Sequence, residues 1–500
     1  MLWDAAARFG DRPAVLQGGS TVSYAALGAR AAAISRALSR AGVEPGDRVG
    51  VFVDGGPDGI AAFFGVLATG GVAVVANETL RPRQVEYMLT HAGAKVLVST
   101  ADLLKRQPRP LATPARLLDL GDVPAGDTWS PPPVERGSDD IAQLSYTSGS
   151  TGQPKGVMIS HGNLWAAMSV VTGYLGIRPD DRIASILPFS FVYGMSQVLC
   201  AVGTGAALAI ERSPLPQQLA ANLRTLDVTV LAAVPPLWIR MLDVPAFRDA
   251  PLPSLRIVTN AGGHLPVETV HALRRAQPQA QLYLMYGLTE VLRSTYLPPE
   301  EVDRRPNSMG RAIPGAEVLV LREDQTPCAP GETGELVHGG PTVTLGYWQD
   351  PEATDRTYRP HPLRQVPNGT RVVFSGDLVR RDEAGLLYYV GRRDRLIKSL
   401  GYRVSPEEIG DVIHGSNEVV DVVVTGEPDP VRGEQIVAHV VLRPGGSLER
   451  LKRYCGTELP RHMQPGRYEL RDVMPRLPNG KYDLVALRQP RVSGGHSPLP

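Results

Sequence analysis

Apolar and polar positions change their period along the chain, and the changes mark out its elements. Residues 25–41 place alanine and leucine at helical spacing, and 48–53 form an apolar run after the turn Pro45-Gly46-Asp47. This predicts a helix followed by a buried strand. Residues 59–76 carry no charge over 18 positions. That length alone would fit a membrane span, but Thr69-Gly70-Gly71 divides the run and its second half is valine-rich. A buried helix, a turn and a strand are expected instead. A helix over 82–92 and a strand over 95–99 follow. Strand and helix alternating through short turns predict a parallel sheet covered on both faces. Residues 106–139, rich in proline and polar groups, read as a surface connection.

The alternation resumes after 140, with strand signals at 184–188, 208–211, 228–234, 256–260 and 281–285 and helices over 196–202 and 216–226. Open parallel sheets bind ligands beyond the carboxyl ends of their strands, so the polar loops at those ends are where chemistry is expected. From about 310 the texture changes. Short strands at 310–321, 334–338, 371–374 and 385–390 lie between Gly/Pro turns. The charged run 391–401 reads as a linker. Helices over 405–414 and 448–459 and strands over 419–425 and 435–442 then form a small α+β unit. The expected fold is α/β: a large N-terminal domain over 1–393 of layered parallel sheets with helices, including a β-rich subdomain at about 310–390. A small mobile α+β domain over 394–490 follows, and then a disordered tail over 491–500.

Charge narrows the function classes. Lys+Arg is 52 and Asp+Glu is 51, giving a net charge of +1, so there is no global basic field to hold nucleic acid or an anionic membrane. Cys200, Cys328 and Cys455 lie far apart with no CxxC, which argues against a disulfide framework or a zinc knuckle and fits a reducing compartment. The N-terminus carries Asp4 early and has no long apolar core, so no signal peptide is read there and a cytoplasmic location is expected. Only six of the 52 basic residues are lysines. A lysine kept in so arginine-rich a chain points to a need for a compact point charge. Three of the six, Lys155, Lys398 and Lys481, sit in Gly-containing motifs.

The segment Leu144-Ser145-Tyr146-Thr147-Ser148-Gly149-Ser150-Thr151-Gly152-Gln153-Pro154-Lys155-Gly156 follows an apolar approach. Glycines let backbone amides close on an anion, hydroxyls donate further hydrogen bonds, and lysine neutralises phosphate charge. It is not a Walker A loop. A phosphate-binding loop and a flexible Ser/Gly linker are the two readings of the residues alone.

The string closely resembles the phosphate loop of the adenylate-forming superfamily of acyl-CoA synthetases, luciferases and peptide-synthetase adenylation domains. Four further segments resemble that superfamily's motifs in the same order: Tyr286-Gly287-Leu288-Thr289-Glu290, Ser375-Gly376-Asp377, the run from Gly391 to Lys398 with Gly401-Tyr402-Arg403, and Pro478-Asn479-Gly480-Lys481. The resemblance implies ATP-dependent activation of a carboxylic acid to an acyl-adenylate with release of pyrophosphate. Transfer to a thiol, of coenzyme A or a phosphopantetheinyl carrier protein, would follow. It implies ATP contacts from Thr147, Ser148, Gly149, Ser150, Thr151, Lys155, Gly262, Gly263, Tyr286, Gly287, Asp377, Arg392 and Lys398. Tyr286 would stack on adenine, and Asp377 would accept from the ribose hydroxyls with support from Arg392. Thr289 would donate to the α-phosphate and Glu290 would hold Mg²⁺. Lys481 would be catalytic, carried inward by a small domain that pivots at Asp394.

The acid is less legible. Residues 187–194 occupy the place of a superfamily motif that often carries His or Asp. They contain no acidic residue to pair with an α-ammonium, which disfavours amino acids. Pocket candidates are Tyr193, Gly194, Val234, Pro235, Trp238, Ala261, Gly262 and Arg293, mostly apolar. Arg293 either meets a second anionic group or forms a surface ion pair. An amino or unusual acid delivered to a carrier protein or an amine is the alternative substrate reading, and the chain is expected to work as a monomer or homodimer.

Overall fold

The computed structural model describes residues 1–126, 134–147, 154–364, 371–393, 395–399, 402–429, 433–477 and 480–488. The chain is mixed α/β, with a large N-terminal region built on two sheets and a smaller C-terminal region built on a third. In the first sheet, Arg48–Val51 pairs in parallel with Val72–Val75 and Ala94–Ser99. The second joins a parallel array, from Arg182–Ser185 to Gln281–Tyr286, to antiparallel strands beyond it.

Helices Tyr24–Arg40, Pro57–Ala68, His161–Leu175 and Val192–Thr204 share one apolar core with strands of both large sheets. A second core, including Trp238, Phe247 and Val270, lies on the far face of the longer sheet. The first sheet is dry on both faces too: Ala73 and Val75 join the shared core, Val72 and Val74 enter another, and Val72–Val75 is buried at all four positions. Each fully buried aliphatic side chain contributes about 1.5–3 kcal/mol. The uncharged run forms the helix Pro57–Ala68 and the strand Val72–Val75, and no helix among the described residues is long and apolar enough to cross a membrane.

Two expectations need correction. The supposed surface connection contains the strand Arg116–Asp119, which pairs with Ala94–Ser99 at the end of its sheet. The predicted strand 310–321 is two strands, Ser308–Ala312 and Glu317–Leu321, broken at Pro314-Gly315, where Gly315 takes φ 78°. The C-terminal region packs helices Pro406–Gly415 and Leu448–Glu458 on the hairpin Val419–Asp429 and Gly433–Leu442. Asp394 and the tail from 491 lie outside the described residues.

Candidate active site

Three adjacent parallel strands end on one cavity of about 1550 Å³. Val230–Ala233 delivers Val234, Ile257–Asn260 delivers Ala261, Gly262 and Gly263, and Gln281–Tyr286 delivers Tyr286 and Gly287. Register between neighbouring strands sets these loops side by side. Thr147 and Lys155 reach the cavity from the hairpin Ile141–Thr147 and Lys155–Ser160, in which they are paired. Ser148, Gly149, Ser150 and Thr151 lie in the loop between them, outside the described residues. Thr289 and Glu290 line the cavity on the turn that follows Tyr286.

Tyr286 donates a hydrogen bond to Asp377 Oδ2. Its ring stacks on His338 with centroids 5.9 Å apart and planes 20° apart. Burial, reinforced by Asp377, pushes the Tyr286 phenol well above its ordinary value, so it stays a donor. Burial also pushes His338 down to about 3, leaving a neutral ring behind the tyrosine. Asp377 pairs across the ladder with Arg392, whose Nε lies 3.5 Å from its Oδ1. Glu290 accepts from Tyr347 Oη at 2.7 Å, and its carbonyl accepts from Thr344 N at 2.9 Å. The segment carrying Thr344 is tied down by Asn163, whose Nδ2 donates to the carbonyls of Pro341 and Val343 at 2.9 and 2.8 Å. Lys155 Nζ sits 3.4 Å from Asp350 and 5.1 Å from the centre of the Tyr347 ring. No sequence motif pointed to Tyr347, Glu335 or His338. Glu335 accepts from Gly376 N at 3.0 Å and pairs with Arg393 at 2.8 Å, fixing the strand that carries Asp377.

Lys481 comes from the opposite side. Gly262 takes φ 83°, a left-handed conformation that favours glycine, and a Cβ built there would stand 4.0 Å from Lys481 Cε. A Cβ on Gly480 would stand 3.4 Å from Val234. The small domain thus seats its lysine against two loops of the large sheet. Lys481 retains accessible surface where it lines the cavity, but both lobes enclose it. Desolvation, then Arg395 and Arg392, lowers its ammonium from the ordinary lysine range, while Asp377 and Glu290 oppose them. The lobes also meet where His264 Nε2 lies 2.9 Å from Asp411 Oδ2. Lys398 lies on the strand Ile397–Ser399 of the small sheet.

Tyr193, Gly194, Pro235 and Arg293, the expected acid end, also line the cavity, as do Ala261 and Val234, against which Gly480 packs. Tyr193 Oη donates to the Thr259 carbonyl at 2.9 Å. Two expectations change here. Trp238 is 0% exposed in the core behind the sheet, 6.4 Å from the Phe247 ring, and does not line the cavity; Ile239, the next residue of the helix Pro235–Leu242, does. Arg293 is 3% exposed, so it forms no surface ion pair.

Residues 2–348 match the AMP-binding enzyme family, and residues 408–481 match the AMP-binding enzyme C-terminal domain. Tyrocidine synthase 3 of Brevibacillus parabrevis is 30% identical over 495 residues, which covers 97% of this chain and 7% of that protein. The chain spans 6–9% of the length of tyrocidine synthase 3, linear gramicidin synthase subunits C and D and bacitracin synthase 3. The long-chain-fatty-acid–CoA ligase of Bacillus subtilis is 27% identical, with 96% of this chain and 92% of that protein covered. ATP-bound MatB from Rhodopseudomonas palustris is 26% identical with a TM-score of 0.87 over 97% of each chain. One profile spanning residues 2–348 shows that this chain belongs to the AMP-binding enzyme family.

Proposed function

We propose that the chain is an AMP-forming acid–thiol ligase that joins a carboxylic acid to AMP and then passes the acyl group to a thiol. One observation carries this reading: Lys481, from the small domain, lies beside Gly262 in the cavity that also holds Tyr286, Asp377 and Glu290.

ATP would place adenine against Tyr286, ribose hydroxyls on Asp377 and Arg392, and phosphates toward Lys155, Thr147 and the 148–151 loop. Thr289 would donate to the α-phosphate. Among the described residues no group of three or more His, Cys, Asp and Glu is arranged to hold a metal by itself. A single carboxylate, Glu290, fits Mg²⁺, which takes one or two carboxylates together with substrate phosphates. Bound there, Mg²⁺ would neutralise phosphate charge.

A carboxylate oxygen attacks the α-phosphorus, the bond to the β-phosphate oxygen breaks, and pyrophosphate leaves. Attack brings two anions together. The Lys481 ammonium offsets that repulsion, a compact charge partly shielded from water by the two lobes. A thiolate then attacks the acyl carbon, forming C–S and breaking the C–O bond to AMP. Coenzyme A and a phosphopantetheinyl carrier are both candidate acceptors. Relatives named as a CoA ligase and as a nonribosomal peptide synthetase support the two possibilities equally. Presenting the thiol requires the small domain to move, and we place the pivot at Asp394, between a large domain over 1–393 and a small one over 394–490. Three buried free cysteines support a reducing, cytoplasmic setting.

Acid-dependent exchange of labelled pyrophosphate into ATP tests the reading. The expected result is exchange with at least one class of carboxylic acid. ATP binding with no exchange across aliphatic, aryl and amino acids overturns it.

A further inference from the structure

The adenylation chemistry makes no use of the buried cation at the acid end. The Arg293 side chain is 3% exposed and stands between the main cavity and a smaller inner pocket lined by Met168, Ser196 and Leu199. Its backbone is bent inward. Leu292, just before it, holds φ 48° in the left-handed region that costs an L residue energy. The turn closes tightly enough that a Cβ on Gly287 would lie 3.0 Å from the Leu292 carbonyl and 3.1 Å from Arg293 Cα. Strain of this kind persists where the surrounding structure imposes it, often at a binding site.

The guanidinium is poorly satisfied. Nη2 donates to Ser196 Oγ at a long 3.3 Å, the group faces the Tyr193 ring at 5.0 Å, and Nε has no hydrogen-bond partner. Among the described residues no Asp or Glu forms an ion pair with it within 4.0 Å. Two other partly buried arginines do have carboxylate partners: Arg256 meets Asp181, and Arg476 meets Asp421 at 2.7 Å. A guanidinium presents five donors in a planar fork that fits a carboxylate in bidentate fashion. Removing that charge from water without a counter-ion is costly, and an anionic ligand group would offset the cost.

We infer that Arg293 receives a second anionic group of the substrate, so that the preferred acids carry a carboxylate at each end of a short aliphatic or aryl skeleton. One carboxylate is activated and the other is held. This rests on the adenylation reading above. The same cation repels an α-ammonium and works against amino acids. Buried donors left unpaired by a neutral analogue reject it strongly.

The test uses the full chain with ATP and Mg²⁺, and pairs each aliphatic diacid of three to six carbons, and each benzene dicarboxylic acid, with its half-amide. We expect at least one diacid to exceed its half-amide in kcat/KM for pyrophosphate exchange by about 10- to 100-fold. Arg293→Met should bring that ratio near unity and Arg293→Lys should keep part of it. ATP-induced thermal stabilisation reports whether each variant is folded, and the wild-type ratios stand without any variant. Monoacids or half-amides exchanging as well as every diacid, or a ratio unmoved by Arg293→Met, would overturn the inference. Calorimetric titration of each pair in the presence of ATP separates the two readings. Tight diacid binding without exchange would sink adenylation and keep the Arg293 assignment. Equal binding of both members of every pair would sink the assignment.

Discussion

The two ends of the cavity treat charge differently. At the nucleotide end, Asp377 is engaged by Tyr286 and Arg392, Lys155 faces Asp350 at 3.4 Å, and Glu290 accepts from Tyr347. At the acid end, Arg293 is enclosed with a long bond to Ser196 and an aromatic face. A group already paired must exchange one partner for another when its ligand arrives, so each contact yields a modest net gain. A buried cation without a counter-ion gains a partner outright. The nucleotide end is therefore built to be preorganised and the acid end to discriminate.

That contrast sets the expected effects of mutation. The largest is on stability, at a residue that sequence reasoning placed in the pocket. Trp238→Ala should cost about 3–5 kcal/mol by denaturant unfolding and leave the acid preference of the folded enzyme unchanged, because Trp238 packs behind the sheet. A changed acid preference at wild-type stability would return it to the pocket. Lys481→Ala should slow pyrophosphate exchange by about 10²- to 10³-fold, or about 3–4 kcal/mol of transition-state stabilisation. ATP affinity should change little, since the groups expected to seat the nucleotide, Lys398 apart, belong to the other lobe; equal losses in both would make Lys481 a ground-state ligand.

Asp377→Ala should weaken ATP binding by about tenfold, roughly 1.4 kcal/mol, with the KM for the acid nearly unchanged. A larger effect on the acid would contradict the division between the ends.

The smallest effect is in pH. Asp411, helped by Glu407 and opposed by burial, raises His264 above its ordinary value, while the neighbouring His414 is pushed down to about 4. A raised histidine stabilises the docked arrangement fully below its free value of about 6.5 and loses that contribution as pH rises through the higher bound value. Exchange should show a shallow first alkaline decline that His264→Gln removes, changing rates by less than about tenfold and leaving the fall at higher pH where Lys481 loses its proton. An unchanged first decline in that variant would detach the contact from closure.

The same contrast explains what was legible beforehand. The nucleotide end is built from contiguous strings at strand ends, because backbone amides and adjacent side chains cradle phosphates. Tyr286-Gly287-Leu288-Thr289-Glu290 can be read as a unit. The acid end gathers Tyr193 and Ser196 from one helix, Thr259 from a strand and Arg293 from a distant turn, and nothing local announces that Arg293 turns inward. Trp238 misled because the helix Pro235–Leu242 is apolar on several faces, so its buried side could not be chosen from spacing. The edge strand Arg116–Asp119 escaped because its first two residues, Arg116 and Leu117, are exposed, which erases the buried pattern of a central strand. Tyr347 and Glu335, which fix Glu290 and the Asp377 strand, lie 57 and 41 residues from their partners Glu290 and Gly376, beyond the reach of any motif.

Following oxygen tests the proposed chemistry most directly. With an acid labelled by ¹⁸O in its carboxylate and hydroxylamine as the acceptor, attack on the α-phosphorus followed by acyl C–O cleavage must leave one labelled oxygen in AMP and none in pyrophosphate. Unlabelled AMP, or label in pyrophosphate or orthophosphate, would contradict an acyl-adenylate formed in this cavity.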